Sequence, residues 1–341
     1  MRILIATDAW IPQVNGVVRT LSSLAEELSR RGHEVLIVSP QDFRTVPMPT
    51  YPEIRLALAG PRRLGRIMAA FDPDAIHIAT EGPVGLATRR AALRAGRGFT
   101  TSFHTRFPEY LRQRLPVPET LSYAFLRWFH APATTCLVPT ESVRRDLNGR
   151  GFQRLATWTR GVDRAVFKPS APIDFDLPGP IFLTVSRIAP EKNIEAFLGL
   201  DLPGSKVVVG DGPGLAEMRR RYPLVHFTGA QTGAALARHY SSADVFVFPS
   251  KTDTFGIVLI EALACGAPVA TYREPGPLDV IAGTAAGCMA DDLREACLAA
   301  LALDRSDALE RSRAFTWSAC ADIFLGAIDS RAPSGALAFA V

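Results

Sequence analysis

Two carboxylates and two cations stand out where the chain passes from extended to helical patterns. In FPSKTDTFGIVLIEALACGAPVA, Asp253 lies in a polar stretch after an apolar run, and Glu261 follows on a helix-length apolar segment. Ile260, Ala262 and Leu263 flank Glu261, so its carboxylate is expected to be buried or cleft-facing and to need a partner, since an unpaired buried charge is costly. A hydroxyl-rich ligand, such as a ribose with an attached hexose, would serve; so would an internal ion pair. Upstream, VSRIAPEKNIEAF leaves a β-branched run and opens a helical one, setting Arg187 and Lys192 at a helix start. Cations, backbone N–H groups and the positive helix end suit a diphosphate there, although a capped surface helix has the same pattern. Between these segments, VVVGDGPGLAEM turns through glycines that allow backbone to approach a ligand closely.

Other chemistries have weaker footing. No GxGxxG follows the first strand and no GxxxxGK[ST] occurs, which removes the commonest dehydrogenase and ATPase fingerprints. Two DxD sequences exist, Asp72 with Asp74 and Asp174 with Asp176. The first brackets Pro73 at a helix-to-strand turn and the second lies in a proline-rich linker, so both read as structural and no catalytic metal is expected. The five cysteines, Cys136, Cys265, Cys288, Cys297 and Cys320, are far apart, lack CxxC spacing and mostly sit in apolar runs. They read as buried reduced thiols.

The elements that must position these residues follow an α/β grammar. Short β-branched runs at 3–7, 34–39, 75–79, 99–103 and 134–138 alternate with helical segments, the first over 16–31. The pattern restarts at 181–186 and continues through 206–209, 225–228, 245–248 and 268–271. Such alternation predicts parallel sheets covered on both faces. The stretch DRAVFKPSAPIDFDLPGP carries four prolines and no helical period, and reads as the linker. With 341 residues, 48% hydrophobic, the chain exceeds the ~250–300 residues at which one core stops growing, so two domains are expected. A mean hydropathy of +0.11 and 21% charged residues exclude a disordered chain. No apolar run approaches the ~18 residues of a membrane span. The opening MRILIATDAWIP lacks the pattern of a secretory signal, which points to a cytoplasmic protein.

Taken together and in order, these segments resemble a known family. The NG turn at Asn15 and Gly16, SFHTRFPEY, RGVD, SRIAPEKN, VGDGP, ADVFVFPS, the carboxylate-x7-Glu segment and ACGAPV resemble retaining GT-B glycosyltransferases of glycosyltransferase family four. The resemblance implies two Rossmann-like domains facing across a cleft: residues 1–165 for the acceptor, joined by a helix at about 316–330 that crosses back, and 166–315 for the nucleotide-sugar. It implies that Arg187 and Lys192 neutralise the donor diphosphate, Glu261 holds the ribose and Asp253 contacts the donor sugar. The backbone of Phe255, Gly256 and Ile257 would lie near sugar and phosphate, His104 would face the donor sugar, and Gly16 would let backbone approach the diphosphate or acceptor. The family usually has Glu where this chain has Asp253, one methylene shorter. RGVD, in place of the more frequent NGVD, looks like a subgroup acting on glycerolipids and like GDP-mannose-dependent mannosyltransferases.

The acceptor reading comes from charge. Residues 1–165 carry 23 arginines, no lysine and 14 acidic residues, a balance of +9, whereas the remainder stands at −5. The arginines cluster in PRRLGRIM, TRRAALRAGR and LRQRLPVPETLSYAFLRWFH, where Phe125, Leu126, Trp128 and Phe129 interleave with Arg127. Such a surface suits an anionic bilayer, while SYAFLRWFH also fits an ordinary core helix. No nucleic-acid motif is present. The expected reaction moves an α-hexosyl unit of glucose, glucuronic acid or mannose type, with retention and without metal or other cofactor. The donor is a UDP- or GDP-sugar and the acceptor a membrane lipid such as diacylglycerol, placing the enzyme peripherally on the inner membrane face. Alternatives are a soluble or polysaccharide acceptor, a nucleotide-sugar 2-epimerase, and a sugar-binding protein without chemistry.

Overall fold

A computed structural model of the chain describes residues 1–13, 15–48, 51–112 and 117–329. It divides into two units, one comprising residues 1–160 with the C-terminal segment from Trp317, the other Gly161–Thr316. The division falls before the boundary expected after Ala165, because Val162 and Phe167 are buried in the core of the second unit.

The first unit is built on β1 (Arg2–Ala6), β2 (Glu34–Val38), an antiparallel pair β3 (Thr45–Met48) and β4 (Tyr51–Ala57), then β5 (Ala75–Ile78), β6 (Thr100–Ser102), β7 (Cys136–Val138) and β8 (Leu155–Thr157). Its main sheet has the order β2-β1-β5-β6-β7-β8, with every pair parallel. Alternate residues of β1 serve opposite layers, as the two-residue strand period requires. Leu4 and Ala6 join Leu64, Met68 and Val84 on one face, and Ile3 and Ile5 join Leu21, Leu24, Leu28 and Phe324 on the other. The latter layer includes both the Gly16–Arg30 and the Trp317–Ile328 helices. Arg31 ties them together, donating to the Glu27 carboxylate at 2.8 Å and to Asp322 at 2.5 Å. Trp158 Nε1 donates to the Cys320 carbonyl at 3.0 Å. The C-terminal helix therefore belongs to the first unit, and residue 330 of the range expected for it lies outside the described residues.

The second unit repeats the plan with β9 (Ile181–Val185), β10 (Ser205–Val209), β11 (His226–Gly229), β12 (Val245–Phe248), β13 (Val269–Thr271) and β14 (Gly287–Met289), in the order β11-β10-β9-β12-β13-β14. Cores lie on both faces here as well: Leu183 and Phe246 with Leu259 and Leu263 on one, Phe182 and Val247 with Phe197 and Cys297 on the other. Both sheets are thus doubly wound, as the alternation predicts. In each, the first strand lies between its sequence neighbour and a later strand, and such a reversal opens a crevice at the carboxyl ends where ligands bind. The five cysteines are free thiols, and all but the half-buried Cys288 are buried. Among the described residues no helix is long and apolar enough to cross a membrane.

Candidate active site

In the second unit the reversal lies between β9 and β12, and the loops leaving these strands carry most of the candidate residues. Arg187 follows β9 directly. The expected helix start at Arg187 and Lys192 is not what forms. Instead, Pro190–Lys192 make a single 3-10 turn, Asn193 takes a left-handed conformation with φ 52°, and a helix of five residues, Ile194–Leu198, follows. Proline initiates the turn and the left-handed asparagine separates it from the helix, so the side-chain cations, not a long helix dipole, supply the positive charge.

Glycines of VGDGP set the shape of that loop. Gly210 has φ +149°, and a Cβ there would overlap the Ser186 carbonyl oxygen. Its small size lets the turn after β10 lie on the backbone carrying Arg187, where Ile188 N–H donates to the Asp211 carbonyl at 2.8 Å.

The loop after β12 meets the β9 loop side by side. Asn193 Nδ2 donates to the Pro249 carbonyl at 3.0 Å, and Thr252 Oγ1 donates to the Glu191 carbonyl at 3.2 Å. Lys192 Nζ lies 2.7 and 2.9 Å from the two carboxylate oxygens of Asp253. Both side chains are largely shielded from solvent. Arg187 stands 4.0 Å from Glu191 on the same loop. Phe255 is buried, and Gly256 then takes φ +83°, which a Cβ would deny by pressing on Phe248 and Leu259. This left-handed residue starts the Ile257–Ala264 helix, whose first turn has no side-chain cap and no acidic residue. Its leading N–H groups are suited to an anion.

Glu261 sits on that helix at 2% exposure. Its Oε2 accepts a hydrogen bond from Tyr240 Oη at 3.0 Å, so an internal partner exists on the neighbouring Gly233–Ser241 helix. Nothing in the sequence pattern singles out Tyr240.

His104 and Gly16 belong to the first unit. Gly16 is exposed and opens the Gly16–Arg30 helix, where Asn15 Oδ1 accepts from Val17 and Val18 N–H at 3.0 Å each. That side chain occupies the helix end beside Gly16. His104 follows β6, half-buried, with its ring edge-on to Trp158 at 5.8 Å and its Nδ1 3.3 Å from Arg160 Nη2. Burial, then the Arg160 cation, holds the His104 imidazole well below the usual histidine range, so it is neutral at pH 7. Buried His77 is pushed down to about 3 for the same reasons.

A further residue of the first crevice, Asp8, carried no motif signal. It follows β1, and its carboxylate accepts from Val84 N–H at 2.8 Å, Gly85 N–H at 3.2 Å and Thr80 Oγ1 at 2.9 Å. It thereby caps the Pro83–Arg94 helix, whose own N-cap, Gly82, has no side chain to do so. Burial raises its pKa against the opposing effect of these hydrogen bonds.

The DxD aspartates take part in local turn and backbone contacts. Asp72 ends the Pro61–Phe71 helix at φ 38°, and Asp74 accepts from Arg2 N–H at 2.7 Å. Asp174 accepts from the Asp176 N–H at 2.9 Å within its own exposed turn. Among the described residues no three His, Cys, Asp or Glu side chains form a group able to hold a metal ion.

The Glu119–His130 helix divides its apolar residues between two faces. Tyr123, Leu126 and Phe129 are buried, whereas Leu121, Phe125 and Trp128 are exposed by 64, 40 and 48%. Arg89 fixes Trp128 from beneath, its guanidinium 4.0 Å from the indole centre and donating to the Trp128 and Phe129 carbonyls at 3.0 Å. Of the basic residues expected on this surface, Arg62 and Arg66 are exposed and Arg112 pairs with Glu119 at 2.9 Å. Arg63 is committed to the Asp42 carbonyl and the Phe43 ring, and Arg114 lies outside the described residues.

Two doubly wound α/β units are the architecture of the GT-B class. Residues 14–166 match the family described as Glycosyltransferase Family 4, and residues 169–304 match Glycosyl transferases group 1. The chain belongs to glycosyltransferase family 4 and is a glycosyltransferase. It is similar to a GDP-mannose-dependent alpha-mannosyltransferase of Mycobacterium tuberculosis, 33% identical over 307 residues that cover 82% of this chain and 81% of that one. It is also similar to the alpha-monoglucosyldiacylglycerol synthase of Streptococcus pneumoniae, at 27% over 319 residues, 81% of this chain and 72% of that one. The solved structure of sucrose-phosphate synthase from Thermosynechococcus elongatus shares the fold, with a TM-score of 0.75, 21% identity and coverage of 95 and 97%.

Proposed function

We propose that this enzyme transfers an α-hexosyl unit, with retention, from a UDP- or GDP-sugar to the hydroxyl of a membrane lipid, with diacylglycerol as the leading acceptor. The carrying observation is the joined pair of loops that sets Arg187, Lys192 and Asp253 at the reversal of the second sheet. Arg187, Lys192 and the uncapped start of the Ile257–Ala264 helix neutralise the donor diphosphate. Asp253, beside Phe255, Gly256 and Ile257, binds the hexose hydroxyls, Glu261 the ribose, and His104 of the first unit a hydroxyl of the hexose. The backbone at Gly16 serves the diphosphate or acceptor. The GDP-mannose dependence of the mycobacterial relative makes GDP-mannose the first donor to test.

No side chain is assigned as nucleophile. The bond from the anomeric carbon to the diphosphate oxygen breaks, the acceptor oxygen bonds to that carbon on the same face, and its proton passes to the departing phosphate oxygen. Fixed cations stabilise the charge developing on the leaving group, which is how a metal-independent site lowers this barrier.

The first unit presents the acceptor side. Leu121, Phe125 and Trp128 form an exposed stripe at positions i, i+4 and i+7 on a unit with excess arginine, the composition that holds a helix in an anionic interface. The enzyme acts peripherally on the cytoplasmic membrane face. A screen of GDP-mannose, UDP-glucose and UDP-glucuronic acid against diacylglycerol vesicles and soluble sugars, with and without EDTA, tests the whole reading. An α-linked glycolipid made equally well with EDTA supports it. Preference for a soluble acceptor, an isomerised sugar with free nucleotide, a β-linked product, or restoration of activity only by Mg²⁺ overturns the corresponding part.

A further inference from the structure

Arg160 is an unusual group to find where it lies. It follows β8 at 3% exposure, and among the described residues no carboxylate pairs with it. A guanidinium without a counter-ion is costly to bury, and burial draws Arg160 down to about 10, still protonated at neutral pH. The side chain is held firmly nonetheless. Nη1 donates to the Trp158 carbonyl at 2.5 Å and the Thr159 carbonyl at 3.1 Å, and the guanidinium carbon stands 4.4 Å from the Trp158 ring centre. Trp158 is itself anchored through Cys320 and packs edge-on against His104.

So oriented, Nη2 meets His104 Nδ1 at 3.3 Å. Arginine has only donors, so Nδ1 must accept, and a neutral imidazole that accepts at Nδ1 carries its proton at Nε2. Among the titratable neighbours of this ring are Arg160, His77 and His130. His77 is neutral between the Thr100 and Ser102 hydroxyls, at 2.8 Å from each. His130, 3.2 Å from Glu81, is raised: burial opposes its charge, but Cys136 and Glu81 favour it. The charges in this set disfavour a second proton on His104.

We propose that Arg160 is a positioning residue that holds His104 as the neutral Nε2–H tautomer, so that the ring presents one hydrogen-bond donor to a hydroxyl oxygen of the donor hexose. The sugar contact rests on the role given to His104 above; the tautomer does not. A carboxylate partner would compete for the guanidinium and weaken its hold on the ring.

The test reads ring nitrogens in ¹⁵N-labelled protein between pH 5 and 8, with His104→Gln identifying the signals. The wild type should show a protonated Nε2, a bare Nδ1 and no titration. Arg160→Met, which fills space but cannot donate, should give mixed tautomers and a titration moved toward the ordinary histidine range. Arg160→Gln, an uncharged N–H donor, should keep the wild-type pattern of protonation at Nε2. A proton on Nδ1 in the wild type, or an unchanged ring in Arg160→Met, overturns the proposal. The wild-type spectrum decides the first point whatever the stability of the variants. In transfer assays, donor kcat/KM should fall about tenfold in Arg160→Met and recover in Arg160→Gln. The double variant with His104→Ala should be no worse than His104→Ala alone, since coupled residues are non-additive. If His104→Ala transfers normally, the sugar contact fails, while the ring spectra still decide the role of Arg160.

Discussion

Lys192 and Asp253, 61 positions apart in the chain, form a close ion pair in the second unit, with Nζ within 3 Å of both carboxylate oxygens. The proposed roles divide them between diphosphate and sugar, so donor binding must share or open this pair. Asp253→Asn should therefore tighten binding of the nucleoside diphosphate product while lowering kcat by ~10² or more, because hydrogen bonds to charged groups contribute ~1.5–3 kcal/mol. Lys192→Ala should weaken both. Calorimetric titration with GDP and UDP beside steady-state transfer checks the split, and parallel losses in both variants would exclude it. Asp253→Glu, which restores the commoner family residue, should be milder than Asp253→Ala.

Glu261 and Tyr240 separate a structural from a binding role. Tyr240→Phe removes one donor to a buried carboxylate and should cost about 1–3 kcal/mol of stability. Glu261→Gln can still accept from Tyr240 and should fold, yet lose nucleotide affinity if the carboxylate holds the ribose. Urea unfolding and nucleotide titration on both variants decide this. Normal affinity in folded Glu261→Gln assigns the residue to the core.

Acid should destabilise the first unit through His77. Its folded-state pKa of about 3 is below the unfolded value, so the unfolded chain binds the extra proton first as pH falls. The stabilising contribution is complete above about pH 6.5 and declines toward the folded value. Between pH 7.5 and 5.5 this one group accounts for about 1.4 kcal/mol. The midpoint of urea unfolding should drop over that interval, and less so in His77→Gln. An equal drop in both proteins would place the acid sensitivity elsewhere.

Membrane contact has a similarly local test. Leu121→Gln with Phe125→Gln alters only exposed positions of the Glu119–His130 helix and should reduce binding to anionic vesicles by tenfold or more, since each buried methylene contributes ~0.8 kcal/mol. Arg62→Ser with Arg66→Ser should flatten the salt dependence instead. Activity on a detergent-dispersed lipid should persist in both. Sedimentation with neutral and anionic vesicles provides the comparison, and equal binding by wild type and variants would leave these residues as ordinary surface.

Two doubly wound sheets and the order of the motif-bearing loops are legible in the amino-acid pattern. Strand and helix periods are local, and the ordered segments from Asn15 to ACGAPV identify the family without any coordinates. Some strands escaped: β8 (LAT) and β14 (GCM) lack a β-branched run, and β3 and β4 each carry a proline that interrupts one. Local pattern also misread the start of the 190–198 segment, where Pro190 and a left-handed Asn193 break one helix into a turn and a remnant. Which groups meet depends on how the elements pack. Arg160 reaches His104 across 56 positions, Asp8 caps a helix 76 residues on, and Tyr240 finds Glu261 from another helix. Packing also decided which apolar residues of 119–130 face the core, since Leu121, Phe125 and Trp128 are as apolar as Leu126 and Phe129. Composition records that a side chain avoids water; only packing of one element on another selects the face that escapes it.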